Sequence, residues 1–255
     1  DITALNLSSA LAPQDTRENV LGSIAAVAAE KTTSQNAEGL STHLERAVTP
    51  TRVGVAQSSF FPTRFKENFE KIVTLIKEAE RQKLDLLVFP ELTVPGYLSH
   101  DHFSDPRYLD ESMEVLKWIA QETSGLNVVV VVGFAEPVIN QFPAKSYNSA
   151  AVIHNGAVVD TVRKTLLPDY DIFWEDRYFI SSPDRKIVTV NGFKLGIGVC
   201  EDLWDKDYAI KVYDELAKQG AEYFINLSAS PFEIGKAHVR YELIQNIVDR
   251  YNKPF

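Results

Sequence analysis

The chain has 255 residues, 45% apolar and 24% charged, which suits one α/β domain with a sizeable core, alone or with an appendage. Its net charge of −9 disfavours nucleic acid or an anionic membrane as a general partner. No apolar run approaches the ~18 residues of a membrane span, and the single cysteine cannot form an internal disulfide, so a reducing, cytoplasmic setting is expected. The first residue is Asp1, and the start lacks the basic segment and apolar core of a signal peptide, so a processed or trimmed chain is expected.

Residues 1–50 are rich in Ala, Ser, Thr and Asn, lack aromatics, and read as an extension or linker of unknown role. A weak stripe of Val20, Ile24, Ala25, Val27 and Ala28 predicts a short helix over 16–31. Residues 51–255 are denser. Strands are expected at 52–57, 84–89 and 127–134, with amphipathic helices at 64–82 and 113–123 between them. Asn155-Gly156 and Asn191-Gly192 each punctuate an alternating run and predict hairpins over 147–163 and 186–199. A long loop spans 164–179. A helix over 207–219, a strand over 223–227 and a final helix over 235–251 follow, the last with Val239, Leu243, Ile244, Ile247, Val248 and Tyr251 facing inward. Strand–helix–strand units combined with two hairpins imply an α/β layered fold with mixed sheets. The chain stops where this alternation would supply another strand, so a fold lacking its last strands is expected.

Three residues stand at predicted strand ends, where open α/β sheets place ligand-facing groups. Cys200 closes the apolar run Leu195-Gly196-Ile197-Gly198-Val199 and is followed at once by Glu201-Asp202. It reads either as a buried core thiol or as a nucleophile. Glu91 follows Phe89-Pro90 and reads as a general base in apolar surroundings or as a cap of the loop to Gly96. Lys164 reads as a fixed positive charge for an oxyanion or as a solvated strand-end lysine. His100-Asp101-His102 with Asp105 has alternating spacing that is more often incidental than a metal site, and no metal is expected. His43, His154 and His238 have no nameable partners, which disfavours a Cys–His pair. There is no serine elbow and no phosphate loop, and Gly196-Ile197-Gly198, inside a strand, is a weak mimic of one.

Taken together and in order, Phe89-Pro90-Glu91 with Gly96-Tyr97, Arg163-Lys164 with Pro168, and Val199-Cys200-Glu201-Asp202-Leu203-Trp204 resemble the nitrilase (carbon–nitrogen hydrolase) superfamily. Tyr147-Asn148-Ser149-Ala150-Ala151, Cys200-Glu201-Asp202-Leu203-Trp204 and the run from Asn226 to Lys236 look most like one branch of it, the glutaminase domains of glutamine-dependent NAD synthetases. The resemblance covers about residues 52–255 and implies an αββα sandwich, usually doubled by dimerisation. It also implies a Glu-Lys-Cys triad in which Cys200 attacks the amide of glutamine, Glu91 moves the protons, and Lys164 with a backbone N–H after Cys200 holds the oxyanion. Glu175 matches an additional carboxylate that orients substrate or base. Tyr97, Tyr170, Phe173, Ser230 and Lys236 match positions near the glutamine pocket.

The same resemblance implies no cofactor for the glutaminase step. ATP and deamido-NAD would belong to a ligase domain whose Ser-Gly-Gly-type loop is absent from this sequence. Glutamine is the implied substrate and an ammonia-consuming synthetase domain or subunit the implied partner, in a homo-oligomer. A stand-alone amidase or carbamoylase, and a non-catalytic scaffold, are the competing readings.

Overall fold

The computed structural model describes residues 2–5, 26–27, 51–139, 141 and 144–255. Two sheets lie face to face. The larger has the strand order β2-β1-β3-β4-β5-β6-β7 and the smaller β10-β9-β8. In the larger, β1 (Ile2–Leu5), β3 (Val53–Ala56), β4 (Leu86–Val88) and β5 (Val129–Pro137) run parallel, and β2 (Ala26–Val27) pairs antiparallel with β1. β6 (Ser146–His154) and β7 (Ala157–Arg163) add an antiparallel hairpin. In the smaller sheet, β9 (Phe193–Val199) pairs antiparallel with β8 (Ile187–Val190) and parallel with β10 (Tyr223–Leu227).

The near-continuous apolar strands have two covered faces, and the two-residue period divides their side chains between separate cores. Leu86, Val88, Val129, Val131, Ala150 and Val152 meet Val188, Leu195, Ile197, Val199 and Leu227 between the sheets. Their neighbours Leu87, Val130, Val132, Ala151 and Ile153 face the other way, against helices α1 (Phe65–Arg81) and α2 (Pro106–Glu122). On the far side, α3 (Val212–Lys218), through Val212, Tyr213 and Leu216, and α4 (Lys236–Tyr251), through Leu243, Ile244 and Ile247, cover the smaller sheet around Phe224. The result is an αββα sandwich with mixed sheets.

Both hairpins turn at the Asn-Gly pairs. Asn155 and Gly156 have φ of 46° and 85°, the left-handed pair of a turn whose twist matches its strands. Several boundaries differ from expectation. α2 starts at Pro106, seven residues before Met113, because Asp105 caps it by accepting the Arg107 N–H (3.0 Å) and a proline fits the first turn. α3 starts at Val212, not Asp207, because Lys211 Nζ donates to the carbonyls of Asp205 and Lys206 and holds that stretch as a separate 3₁₀ turn. The apolar stripe of α4 is only half covered. Leu243, Ile244, Ile247 and Tyr251 pack on the smaller sheet's outer core, while Val239 is 45% exposed. The helix expected over 16–31 lies outside the described residues, except that Ala26–Val27 pair as a strand.

Candidate active site

Glu91, Lys164 and Cys200 follow the C-terminal ends of β4, β7 and β9. The first two belong to the larger sheet and the third to the smaller. Glu91 is steered into place by a close approach of backbone to β5. A Cβ on Gly133 would lie 2.4 Å from Leu92 N, 2.6 Å from Pro90 O and 2.8 Å from Glu91 C. Only glycine leaves that room. Leu92 and Cys200 both have positive φ (47° and 44°), a strained backbone on each side of the site. At Cys200 this bend turns the extended strand into the 3₁₀ turn Cys200–Leu203.

A closed ionic network lies beneath. Lys164, fully buried, places Nζ 2.8 Å from Glu91 Oε1 and 3.0 and 2.8 Å from the two oxygens of Glu175. Burial works against its charge, yet the two carboxylates outweigh it and hold the ammonium well above the usual lysine range. Glu91 Oε1 also accepts from Asn148 Nδ2 (2.8 Å), and Oε2 accepts from the Ala229 N–H (3.0 Å). Glu175 accepts from the Tyr97 hydroxyl (2.9 Å). Burial, assisted by the charge of Glu91 and opposed by Lys164, raises its carboxyl to about 7. Burial likewise pushes the Cys200 thiol up, with Glu91 adding to the effect and Lys164 and Ser228 opposing it. The thiol therefore rests protonated at neutral pH and needs a base to react.

Asp202 fastens the two sheets' contributions together. Its Oδ1 accepts from the N–H groups of Thr165 (3.1 Å) and Leu166 (2.9 Å), just after Lys164, and its Oδ2 from Val199 N–H (2.8 Å), just before Cys200. Asn226 Nδ2 donates to the Cys200 carbonyl (3.3 Å). Gly198 is needed for packing here: a Cβ on it would sit 2.5 Å from the Tyr213 hydroxyl. At Gly196 a Cβ would sit 2.8 Å from that of Ala221, so packing accounts for both glycines of β9 without a phosphate.

Above Cys200 opens a cavity of about 360 Å³, lined by Tyr170, Phe173, Cys200, Glu201, Trp204, Ser230 and Lys236 among others. Glu201 is 4% exposed and accepts from the hydroxyls of Tyr170 (3.0 Å) and Tyr208 (3.1 Å). Lys236 Nζ lies 5.3 Å from the Trp204 ring centroid and 3.9 Å from Glu233. Burial raises the Glu201 carboxyl while its two tyrosine partners lower it.

Of the residues singled out in the sequence, Glu91, Lys164, Glu175 and Tyr97 therefore meet in the buried network. Tyr170, Phe173, Ser230 and Lys236 line the cavity with Cys200. Asn148, Ser228 and Ala229 lie in stretches that carry the resemblance but are not singled out by it, and neither Tyr208 nor the bridging role of Asp202 is read from the sequence. Asn148 sits within an alternating strand, Tyr208 meets Glu201 across a 3₁₀ turn, and Ser228, Ala229 and Asp202 matter through partners distant in sequence. His100–Asp105 serves structure instead: Asp105 caps α2, Asp101 accepts from the Tyr178 hydroxyl (2.9 Å), and the His102 ring packs 5.1 Å from that of Tyr108. Among the described residues, no group of three His, Cys, Asp or Glu is arranged to hold a metal ion. His43 lies outside the described residues, and His238 pairs with Glu242 at 3.2 Å on α4.

Comparisons with known proteins agree with this geometry. The sequence model of the carbon-nitrogen hydrolase family matches residues 52–246. The glutamine-dependent NAD(+) synthetase of Synechocystis sp. is 36% identical over 198 residues, 74% of this chain and 35% of that protein. That of Thermotoga maritima is 34% identical over 194 residues, 76% of this chain and 32% of that protein. The chain thus spans about a third of the length of these curated relatives. The solved glutamine-dependent NAD+ synthetase of Acinetobacter baumannii superposes with a TM-score of 0.68 at 31% identity, over 76% of this chain and 36% of that one. An amidase from Nesterenkonia sp. AN1 shares the fold, with a TM-score of 0.66 at 18% identity over 80% of this chain and 76% of that one. On the family match across most of its length, the chain belongs to the carbon-nitrogen hydrolase family.

Proposed function

We propose that residues 51–255 form a glutaminase domain that releases ammonia from glutamine for a NAD synthetase ligase region outside this sequence. The observation that carries the reading is a cysteine at the floor of a cavity of amino-acid size, above the buried Glu91–Lys164 pair. The charged residues of the cavity lining suit an amino acid. Lys236 offers a cation to the α-carboxylate and Glu201 an anion to the α-ammonium. The relatives that are glutamine-dependent NAD synthetases supply the choice of glutamine.

In the mechanism, Glu91 takes the proton of the Cys200 thiol as sulfur attacks the amide carbon. The carbonyl oxygen becomes an oxyanion facing Lys164 and the Glu201 backbone N–H. In the free protein, Nζ of Lys164 is shared among three carboxylate oxygens. Protonation of Glu91 weakens one of these bonds at the moment the oxyanion needs a donor. Glu91 passes its proton to the leaving nitrogen, ammonia departs, and a thioester remains. Glu91 then deprotonates a water, which attacks the thioester, and the proton returns to sulfur as glutamate leaves. No step calls for a metal or an organic cofactor. ATP and deamido-NAD are assigned to the ligase region, and the domain is expected to work within a homo-oligomer.

Ammonia and glutamate release tests the reading, measured against a panel of other primary amides and carbamoyl amino acids. Glutamine is expected to be preferred, with Cys200→Ala and Glu91→Gln inactive. Undiminished turnover by Cys200→Ala would sink the triad mechanism, and preference for another amide would sink the choice of substrate.

A further inference from the structure

The cysteine needs a partner that the triad does not provide. An ammonium carries three N–H donors, and each of those on Lys164 has a carboxylate oxygen at 2.8–3.0 Å: one on Glu91 and two on Glu175. None is left for sulfur in the free protein. The hydrogen-bond contact to the Cys200 sulfur among the described residues comes from Ser228, whose Oγ lies 3.6 Å from Sγ.

The backbone sets this contact. β9 and β10 are parallel with Leu227 opposite Val199, so the next residue of each strand, Ser228 and Cys200, emerge side by side. The hydroxyl is also oriented. Ser228 Oγ accepts the Ser230 N–H (3.3 Å), which occupies a lone pair and leaves the O–H hydrogen for sulfur. The next residue in the same turn, Ala229, holds Glu91 Oε2 through its N–H (3.0 Å), so one turn addresses both nucleophile and base.

We propose that Ser228 is a further catalytic residue, whose hydroxyl donates to the Cys200 sulfur and stabilises the thiolate as its proton leaves for Glu91. This rests on the glutaminase reading, in which Cys200 is the nucleophile. A hydrogen bond to an ionised acceptor is stronger than one to a neutral acceptor, so the contact favours thiolate over thiol. Its effect is needed because the ionisable groups around sulfur mostly oppose a second negative charge. Glu91, at the end of β4, and Glu175, in the loop after β7, are anions, and Tyr97, Tyr170 and Tyr213 are neutral hydroxyls. Lys164 is the one cation among these groups, and two carboxylates already share it.

The test uses the whole protein and reads the thiol directly. Cys200 is the sole cysteine, so the rate of alkylation by iodoacetamide as a function of pH reports on it alone. In Ser228→Ala the midpoint of that profile is expected to move up by about one pH unit, and kcat/KM for glutamine to fall roughly tenfold with KM within about twofold. Ser228→Thr, which keeps the hydroxyl, restores the wild-type midpoint, whereas Ser228→Val, of the same shape without it, does not. The Thr/Val pair decides the matter if the alanine variant folds poorly. Superimposable alkylation profiles for wild type and the hydroxyl-free variants overturn the proposal. That failure is separable from failure of the glutaminase reading, because alkylation needs no substrate and the reading stands or falls on Cys200→Ala turnover.

Discussion

Lys164 is a lysine with no access to water, and its position makes sense only as part of a charge cluster. Two carboxylates and one ammonium leave the cluster with a formal charge of −1 inside the protein. Removing one partner of a buried pair leaves an uncompensated charge, so Lys164→Met is expected to destabilise the fold by about 3–5 kcal/mol. Chemical denaturation at neutral pH measures this. The cluster also titrates. The Glu175 carboxyl is raised to about 7, so it holds a proton below that pH and carries its charge above it. Below pH 7 Glu175 no longer shares the ammonium as an anion, so Lys164 is held more tightly by its bond to Glu91 Oε1 and is less free to turn to the oxyanion. We therefore expect kcat/KM to fall as pH drops through about 7. In Glu175→Gln, a permanent mimic of the protonated form, that limb should vanish and the rate should stay near the wild-type low-pH level. A limb that persists near pH 7 in Glu175→Gln would assign the titration to another group.

The elements deliver these residues through strand ends, and small residues decide how closely the chain passes. Gly133 is the clearest case. A methyl group there would overlap the backbone of Pro90, Glu91 and Leu92 and push the base away from Lys164. Gly133→Ala is expected to lower kcat by roughly 100-fold, since displacement of a reacting group by about 1 Å has that effect. The sandwich itself should persist by circular dichroism, and near-wild-type kcat in this variant would remove the base-placing role given to Gly133. The strands and hairpins were legible because their signals are local: two-residue alternation, Asn-Gly turns, and apolar runs that stop at Pro90, Lys164 and Cys200. The start of α2 was missed although Asp105-Pro106 is a strong capping signal, because the first turns of the helix are polar and carry little periodicity. The exposure of Val239 on α4 could not be read at all, since periodicity marks an apolar stripe and not how wide its cover is. Asp202 was visible only as a carboxylate beside the cysteine. Its function depends on Thr165 and Leu166, some 36 positions away, and only the stacking of the two sheets, with β7 in one and β9 in the other, brings them to it.

At the scale of the molecule, the division of the site between two sheets matters more than any single contact. Glu91 and Lys164 ride on the larger sheet and Cys200 on the smaller, so their separation is set by the apolar layer between them. Cys200 itself belongs to that layer, next to Val199 and Ile197. The layer on the far side of the larger sheet, under α1 and α2, supports stability without touching the distance from sulfur to base. Two truncations separate these effects. Ile197→Ala lies between the sheets, Ile76→Ala lies under α1, and both side chains are buried to within 1% of full burial. Each should cost about 2–5 kcal/mol, because each leaves a cavity in a packed core. Their effects on chemistry should differ. Relaxation around Ile197 lets the smaller sheet shift against the larger, so Ile197→Ala is expected to slow both glutamine turnover and Cys200 alkylation. Ile76→Ala, compared at equal fraction folded, should leave both near wild type. Equal kinetic losses in the two variants would mean that the inter-sheet layer has no special part in setting the site, and that Asp202, whose bonds to the Thr165 and Leu166 N–H groups cross the gap, holds the geometry alone.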